Sequence, residues 1–265
     1  MKLGWYEISD EEYNALPALR SHDLSLILKS PLHYKTKTQM GETDALRIGR
    51  VLHKLILEPE RAKGDIRVVP NGDRRTKAGK EAYNAFLEGL PPHVLTVTEP
   101  EMERCRTIQD LVLGHEAVQK ILQKGVAEVA GVYRDREGDV FKIKPDYRRD
   151  DGILVDLKTT TDVSAKAFVH QALRYHYCLQ AAFYLEIASR ISATPYTQFI
   201  WIVVEKEPPH DIALYLADIE TIQYGRGLFQ KAISLYKECK MKGHWPGSPR
   251  QIQLLKLPTS AFLEM

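Results

Sequence analysis

Apolar and polar positions follow two different periods along this chain, and the change of period separates helical from extended segments. Apolar residues recur every three or four positions over Ala45–Leu57, which predicts an amphipathic helix that ends before Pro59. In contrast, 198–204 is a nearly continuous run of β-branched and aromatic residues, which is typical of a buried strand. The same criteria predict helices at about 77–88, 99–123, 165–190 and 219–241, two short helices within 9–34, and strands at about 126–134, 139–147, 153–158 and 210–217.

This order of segments predicts an α/β protein with a mixed central sheet flanked by helices. At 265 residues the chain is within the range of one such domain. We expect a mainly helical part over about 1–125, a sheet core over about 126–245 and a C-terminal tail over 246–265. The polar segment 64–80, with Asn71–Arg75 at its tip, is the best candidate for a mobile loop.

The predicted strand at 153–158 carries two charged residues within an apolar run. Side chains two apart in a strand point to the same face, so Asp156 and Lys158 should project together, opposite Val155 and Leu157. Asp146 ends the preceding strand, and the turn at 150–152 should fold the two strands into a hairpin. Two carboxylates and an ammonium would then converge at one end of the sheet, a combination that suits a divalent cation and an anionic transition state. The alternative is an exposed salt bridge.

Two predicted helices carry further polar residues at a helical spacing. Gly49 and His53 are four apart in one helix, and Gln180 and Tyr184 are four apart in another, so each pair shares a face. On their own these pairs are also compatible with a core histidine and with an ordinary amphipathic helix.

Composition limits the classes of protein that remain. Hydrophobic content of 44% and charged content of 27% are ordinary for a soluble globular protein. The net charge of +2 predicts no global basic field, so any nucleic-acid surface must be a local patch. Three scattered cysteines fit neither a disulfide framework nor a zinc or iron–sulfur site, and no apolar run resembles a signal peptide or a membrane span. We therefore expect a cytoplasmic protein with no membrane partner.

Taken in chain order, these pieces resemble a known enzyme superfamily. The set comprises Gly49-x-x-x-His53, an acidic residue at Glu128, Pro145-Asp146, Asp156-x-Lys158 and Gln180-x-x-x-Tyr184. It is similar to the PD-(D/E)xK nucleases, in particular to the RecB-like branch and the RecE-type (exonuclease VIII) recombination exonucleases of phages and prophages. The resemblance extends over about residues 10–245.

The resemblance implies a role for each of these residues in phosphodiester hydrolysis. Asp146 and Asp156, with the carbonyl oxygen of Leu157 and a nitrogen of His53, would bind Mg²⁺, and the nitrogen ligand suggests that Mn²⁺ can substitute. Lys158 would orient the attacking water or stabilise developing charge. Glu128 would be an additional active-site acid, the alternative being a solvated glutamate on an edge strand. Gln180 and Tyr184 would contact the phosphate backbone or hold the scissile end.

The resemblance also implies a substrate and an assembly. It suggests an exodeoxyribonuclease that degrades linear double-stranded DNA from 5′ to 3′, leaves 3′ single-stranded tails for an annealing protein, and forms a homo-oligomer, commonly a tetramer. A site-specific or structure-specific endonuclease and a catalytically silent DNA-end-binding protein remain as alternatives. The densest basic cluster is the candidate DNA-binding surface, the alternative being a solvated loop; it comprises Arg74, Arg75, Lys77 and Lys80.

Overall fold

The computed structural model describes residues 3–38, 43–70 and 76–256. Within these ranges the strands are β1 (Gly4–Tyr6), β2 (Ile66–Val68), β3 (Leu95–Val97), β4 (Gly125–Ala127), β5 (Ala130–Arg134), β6 (Val140–Ile143), β7 (Tyr147–Arg149), β8 (Ile153–Thr160), β9 (Gln198–Glu205) and β10 (Ile212–Leu216). The helices are α1 (Asp10–Ala15), α2 (Ser21–Lys29), α3 (Pro31–Lys35), α4 (Asp44–Leu57), α5 (Pro59–Asp65), α6 (Lys77–Glu88), α7 (Glu99–Gly114), α8 (Glu116–Ile121), α9 (Ala165–Arg174), α10 (Tyr177–Ile191) and α11 (Ile219–Lys242).

The largest sheet has the strand order β10-β9-β8-β7-β4. Its central strands β8 and β9 run parallel, from the Ile153–Gln198 pair to the Thr160–Glu205 pair, while the outer pairings are antiparallel. A second sheet has the order β1-β5-β6, and β2 pairs with β3. The predicted α/β class with a mixed central sheet flanked by helices is thus confirmed.

Alternate residues of β8 and β9 enter two separate hydrophobic cores. Val155 and Leu157 of β8 belong to a core that includes buried residues of α4 and α7. Leu154 of β8 and Trp201 of β9 belong to a core that includes buried residues of α2, α10 and α11. Since β9 is covered on both faces, it is apolar at every position from Phe199 to Val204, which explains why its sequence is a continuous apolar run.

The strands predicted at 126–134 and 139–147 are each interrupted in the structure. β4 pairs with β7 in the large sheet, whereas β5 pairs with β6 in the second sheet. Glu128 lies at the first break with a left-handed backbone (φ 54°), and Pro145, which lacks an N–H group, lies at the second. The Glu128 N–H donates to the Asp146 carbonyl oxygen across the gap (3.1 Å). The prediction that Glu128 lies within a strand is therefore wrong, because the chain changes sheets at this residue.

The helical predictions differ from the structure mainly in their continuity. The segment 165–190 forms two helices, α9 and α10, because His176 adopts a left-handed conformation (φ 57°) between them. The segment 99–123 likewise divides into α7 and α8 at His115. Residues 9–34 contain three helices, since Ser30 caps a separate helix that begins at Pro31. The mainly helical part also contains β1, β2 and β3, which are too short to show a period in the sequence.

Helices α10 and α11 approach each other closely at Gly225. A Cβ atom at this position would lie 1.9 Å from the Cys178 carbonyl oxygen, so only glycine permits the contact. Cys105, Cys178 and Cys239 are all buried free thiols. None of the helices in the described part of the chain is both long enough and apolar enough to cross a membrane.

Candidate active site

The predicted site residues come from separate elements that meet around β8, a central strand of the large sheet. His53 lies on α4, Glu128 lies at the break between β4 and β5, and Asp146 lies at the break between β6 and β7. Asp156, Leu157 and Lys158 lie on β8, and Gln180 and Tyr184 lie on α10. Both breaks thus carry a carboxylate, and that of Asp146 contacts the Leu157 N–H of β8.

His53 and Asp146 are both held against Leu157. The His53 Nε2 atom lies 2.8 Å from the Leu157 carbonyl oxygen, and Asp146 Oδ2 accepts the Leu157 N–H at 2.6 Å. A carbonyl oxygen can only accept, so Nε2 carries the hydrogen. The His53 Nδ1 atom then faces Asp146 Oδ2 at 3.4 Å. In a neutral ring this atom presents a lone pair to the carboxylate, an arrangement that a cation between the two would favour.

Glu128 completes a group that could hold a metal ion. One ligand atom from each of His53, Glu128 and Asp146 lies within 4.8 Å of the others. Burial raises the pKa of Asp146 to about 7; the Asp156 and Glu128 carboxylates add to this rise, and His53 and Lys158 oppose it. Burial also raises the pKa of Glu128, against the influence of Lys144 and His53. In both carboxyl groups, the effect of burial on the pKa therefore outweighs that of the neighbouring positive charges.

Asp156 and Lys158 share a face of β8, but that face is covered by α10. Asp156 is only 1% exposed. Its Oδ2 lies 2.5 Å from Lys158 Nζ, and its Oδ1 accepts from Gln180 Nε2 at 3.0 Å. The Gln180 Oε1 atom faces Lys158 Nζ at 3.4 Å, which closes a three-residue network. The alternative of an exposed salt bridge is thus wrong, because α10 covers the polar side of the strand.

Lys158 is held as a cation within this network. Burial by itself would lower its pKa, but the Asp156 and Asp146 carboxylates outweigh burial and raise it. An ammonium with a raised pKa cannot act as a base near neutral pH, although it can donate hydrogen bonds to an anion. Its Nζ atom also lies 4.7 Å from the centre of the Tyr177 ring.

Tyr184 contacts this network through Gln180. It is 7% exposed, and its hydroxyl group hydrogen-bonds the Gln180 side chain. Burial and the nearby Asp156 and Asp146 carboxylates raise its pKa, so the phenol stays protonated. The four-residue spacing therefore places Gln180 and Tyr184 on one face of α10. The Gln180 amide contacts Lys158, and Tyr184 contacts Gln180.

The chain matches one protein-family model over most of its length. A family model described as a PDDEXK-like domain of unknown function, DUF3799, matches residues 26–258. The chain belongs to this PDDEXK-like family. The resemblance to PD-(D/E)xK proteins inferred from the motifs is thus confirmed. No protein with a curated description matches the sequence significantly.

Two solved structures are similar to this chain, and the first has the same fold. A candidate exonuclease from Eubacterium rectale superposes with a TM-score of 0.63 at 12% identity, with 98% of each chain covered. A phage-related exonuclease from Haemophilus somnus covers 88% of this chain and 99% of its own at 12% identity, with a TM-score of 0.37. At this identity the first similarity establishes the fold of the PDDEXK-like chain.

Two charged residues of the PDDEXK-like site were given no role by sequence reasoning. Lys144 Nζ lies 3.0 Å from Glu128 and 2.5 Å from Asp10 of α1. Lys144 directly precedes the Pro145-Asp146 pair, so its position beside this motif could have identified it from the sequence. Asp10 follows Ser9, the N-cap of α1, and nothing in the sequence connects it with the site. Tyr177, three residues before Gln180, gave no signal either.

Of the predicted basic cluster, the structure describes only Lys77 and Lys80. Arg74 and Arg75 lie outside the described residues. Lys77 and Lys80 are exposed on α6, and Lys77 Nζ lies 3.9 Å from Glu81. Their role in binding DNA stays a prediction.

Proposed function

We propose that this chain is a metal-dependent deoxyribonuclease. The observation that carries the proposal is the group formed by His53, Glu128 and Asp146 beside the buried Asp156–Lys158 pair, within a PDDEXK-like fold. Burying charged groups costs free energy even when they are paired. Clusters of buried acidic groups with shifted pKa values are therefore typical of functional sites.

The residues present fit a divalent cation. His53, Glu128 and Asp146 offer one nitrogen and two carboxylates whose ligand atoms lie within 4.8 Å of one another, and burial raises the pKa of Asp146 to about 7. Asp156 and the Leu157 carbonyl oxygen are the further proposed ligands. A bound Mg²⁺ would supply Lewis-acid chemistry by withdrawing negative charge from the phosphodiester during hydrolysis. The imidazole makes Mn²⁺ a suitable substitute.

The remaining residues have roles that do not require the metal. Lys158 would donate hydrogen bonds to a phosphoryl oxygen or orient the attacking water, since it keeps its proton. Gln180 would fix the ammonium against Asp156, and Tyr184 would fix Gln180. Lys144 would hold Glu128 in place from the side of α1. Because Tyr184 is buried, we assign it a positioning role in place of a contact with the phosphate backbone.

The substrate we propose is linear double-stranded DNA, degraded from 5′ to 3′ to leave 3′ single-stranded tails for recombination. This part rests on the resemblance to the RecE-type exonucleases, which also suggests a phage or prophage context, a tetrameric homo-oligomer and a single-strand annealing partner. The name of the solved structure with the same fold, a candidate exonuclease, is in line with exonuclease activity.

Digestion of labelled DNA tests the proposal directly. Linear duplex labelled at the 5′ or the 3′ end is incubated beside a covalently closed circle, with Mg²⁺, with Mn²⁺ or with EDTA. We expect loss of the linear duplex in either metal, early release of the 5′ label, survival of the circle and no reaction in EDTA. Lys158→Ala should be inactive, while Lys120→Ala should be fully active, because Lys120 is an exposed lysine whose ion pair with Glu116 lies at the surface.

The other outcomes identify the alternatives. Cleavage of the closed circle would indicate an endonuclease on the same fold. Retention of the linear duplex on a gel without cleavage in either metal would indicate a silent DNA-end-binding protein. Activity that persists in EDTA would overturn the metal-dependent mechanism.

A further inference from the structure

A cleft of about 760 Å³ opens beside the candidate active site. Its walls are formed by α2, by the junction of α9 and α10, and by α11. Tyr177 and Gln180 line the cleft and also contact Lys158. The cleft therefore continues directly from the ammonium at which the proposed chemistry takes place.

The lining of the cleft is strongly basic. Lys29, Arg174 and Lys231 contribute three formal positive charges, and all three are exposed. None of the described residues that line the cleft is acidic. The whole chain carries a net charge of only +2, whereas the cleft alone carries three positive charges. Such a local concentration attracts a polyanion that the chain as a whole would hold weakly.

A series of aromatic and cationic groups leads from the active site into this cleft. The Tyr177 ring lies 4.7 Å from Lys158 Nζ and stacks on Tyr175, with 5.9 Å between the ring centroids and 26° between the planes. The Arg174 guanidinium lies 5.5 Å from the centre of the Tyr175 ring. Tyr177 is also fixed by a hydrogen bond from Gln171 (3.1 Å).

Tyr175 is the member of this series that solvent can reach. It is 55% exposed, an unusual fraction for a large ring that has an aromatic neighbour. The left-handed backbone of His176 breaks the helix between Tyr175 and Tyr177, so the two rings stack where a continuous helix would separate them. An exposed, oriented ring among cations is the arrangement used to bind unpaired bases.

We propose that this cleft binds unpaired nucleotides of the DNA strand being cut. A base stacks on Tyr175, and the neighbouring phosphates contact Arg174, Lys231 and Lys29. The cleft is of the size that takes a small ligand, so it admits separated nucleotides and excludes a duplex. This inference rests on the proposed nuclease function, since it identifies the form in which DNA reaches Lys158.

Binding of a fluorescent oligothymidine, measured by anisotropy in EDTA, tests the proposal without requiring hydrolysis. Tyr175→Leu should weaken binding by about fivefold or more, the effect of losing one stacked base, whereas Tyr175→Phe should bind as tightly as the wild type. Arg174→Ala and Lys231→Ala should each lower the salt dependence of log Kd by about 0.7, the value for one phosphate contact on a single strand.

The matched control is Arg106→Ala. Arg106 is exposed on α7, which packs on the opposite face of the large sheet, so its loss should leave binding unchanged. The proposal is overturned if the wild type does not bind the oligonucleotide, or if Tyr175→Leu and Arg174→Ala both bind as the wild type does.

These results distinguish a failure of the cleft proposal from a failure of the nuclease proposal. If the wild type never cleaves DNA but the cleft variants lose binding as expected, the nuclease function fails and the binding site stands. If the wild type cleaves DNA and the cleft variants bind and cleave normally, only the cleft proposal fails.

Discussion

At the scale of single residues, the central feature is the buried pair formed by Asp156 and Lys158. Each partner is the main source of opposite charge for the other, and Gln180 contacts both. Removing one member of a buried pair leaves the other unpaired in a poorly solvated site, which is strongly destabilising. Conservative substitutions are therefore needed to separate a catalytic role from a structural one.

Asp156→Asn should abolish hydrolysis and leave the chain folded. The amide keeps the size of the carboxylate and can still contact Gln180, but it lacks the negative charge that we propose for binding the metal. Asp156→Ala should in addition lower the free energy of unfolding by about 3–5 kcal/mol, because Lys158 remains buried without its partner. Turnover on linear duplex and urea unfolding measure the two effects.

Asp110→Asn is the control for this substitution, since Asp110 is exposed on α7. We expect it to match the wild type in both measurements. A folded Asp156→Asn protein with wild-type turnover would remove Asp156 from the site.

Lys158→Met should lower turnover by about 10²–10³-fold, the range for losing one donor to developing charge. Methionine fills a similar volume but cannot donate hydrogen bonds or hold charge. Calorimetric titration with Mg²⁺ should still detect binding, because an ammonium is not a metal ligand. A variant that loses Mg²⁺ binding but keeps its turnover would contradict this role.

At the scale of elements, β6 anchors the N-terminal helix α1 through another buried lysine. Lys142 is 4% exposed, and its Nζ donates to the carbonyl oxygens of Tyr13, Leu16 and Asn14 at 2.7, 2.9 and 3.3 Å. Burial lowers the pKa of Lys142 to about 8, which still leaves it charged at neutral pH. Lys142→Met should lower the free energy of unfolding by at least about 2 kcal/mol, because buried carbonyl groups lose their donor.

Urea denaturation measures this change, and Lys120→Met, at an exposed position, should shift the midpoint very little. Because α1 also carries Asp10, the partner of Lys144, the Lys142 variant should lose some turnover as well. An unchanged unfolding midpoint would mean that α1 is held by other contacts.

Replacing each of two helical glycines by alanine should change the free energy of unfolding in opposite directions. A Cβ atom on Gly49 of α4 would meet only Thr159 Oγ1 at 4.0 Å, so Gly49→Ala should raise the free energy of unfolding by about 1 kcal/mol through helix propensity. A Cβ atom on Gly225 of α11 would collide with the Cys178 carbonyl oxygen, so Gly225→Ala should lower it by about 1–3 kcal/mol. Thermal unfolding of both variants under one condition tests this, and a shift of the same sign in both would contradict it.

At the scale of the whole molecule, the question is how a chain of low net charge stays on DNA. A net charge of +2 gives little bulk attraction, so long processive digestion needs either local patches or retention by a closed assembly. We predict a solution mass several times 30.3 kDa by light scattering. A monomer that degrades long duplex in one encounter, as judged by challenge with excess competitor DNA, would contradict the predicted closed assembly.

The sequence alone determined the fold class and, through the resemblance of its motifs to the PD-(D/E)xK nucleases, most of the candidate site residues. The reason is that both depend on local periods and spacings: alternation in β8, apolar continuity in β9, and the four-residue spacing on α4 and α10 each describe one element at a time. The pairing of Asp156 with Lys158 on one face follows from strand geometry and needs no tertiary information.

Only the tertiary structure decided how these elements meet. Helix α10 covers the polar face of β8, which buries Asp156 and turns an apparently exposed pair into a closed network with Gln180. The left-handed residues Glu128 and His176 break segments that read as continuous, and they thereby aim a carboxylate at Asp146 and stack Tyr175 on Tyr177. Asp10 reaches Lys144 across 134 positions of sequence. Such contacts depend on long-range packing, because the residues that form them carry no local pattern that marks them as partners.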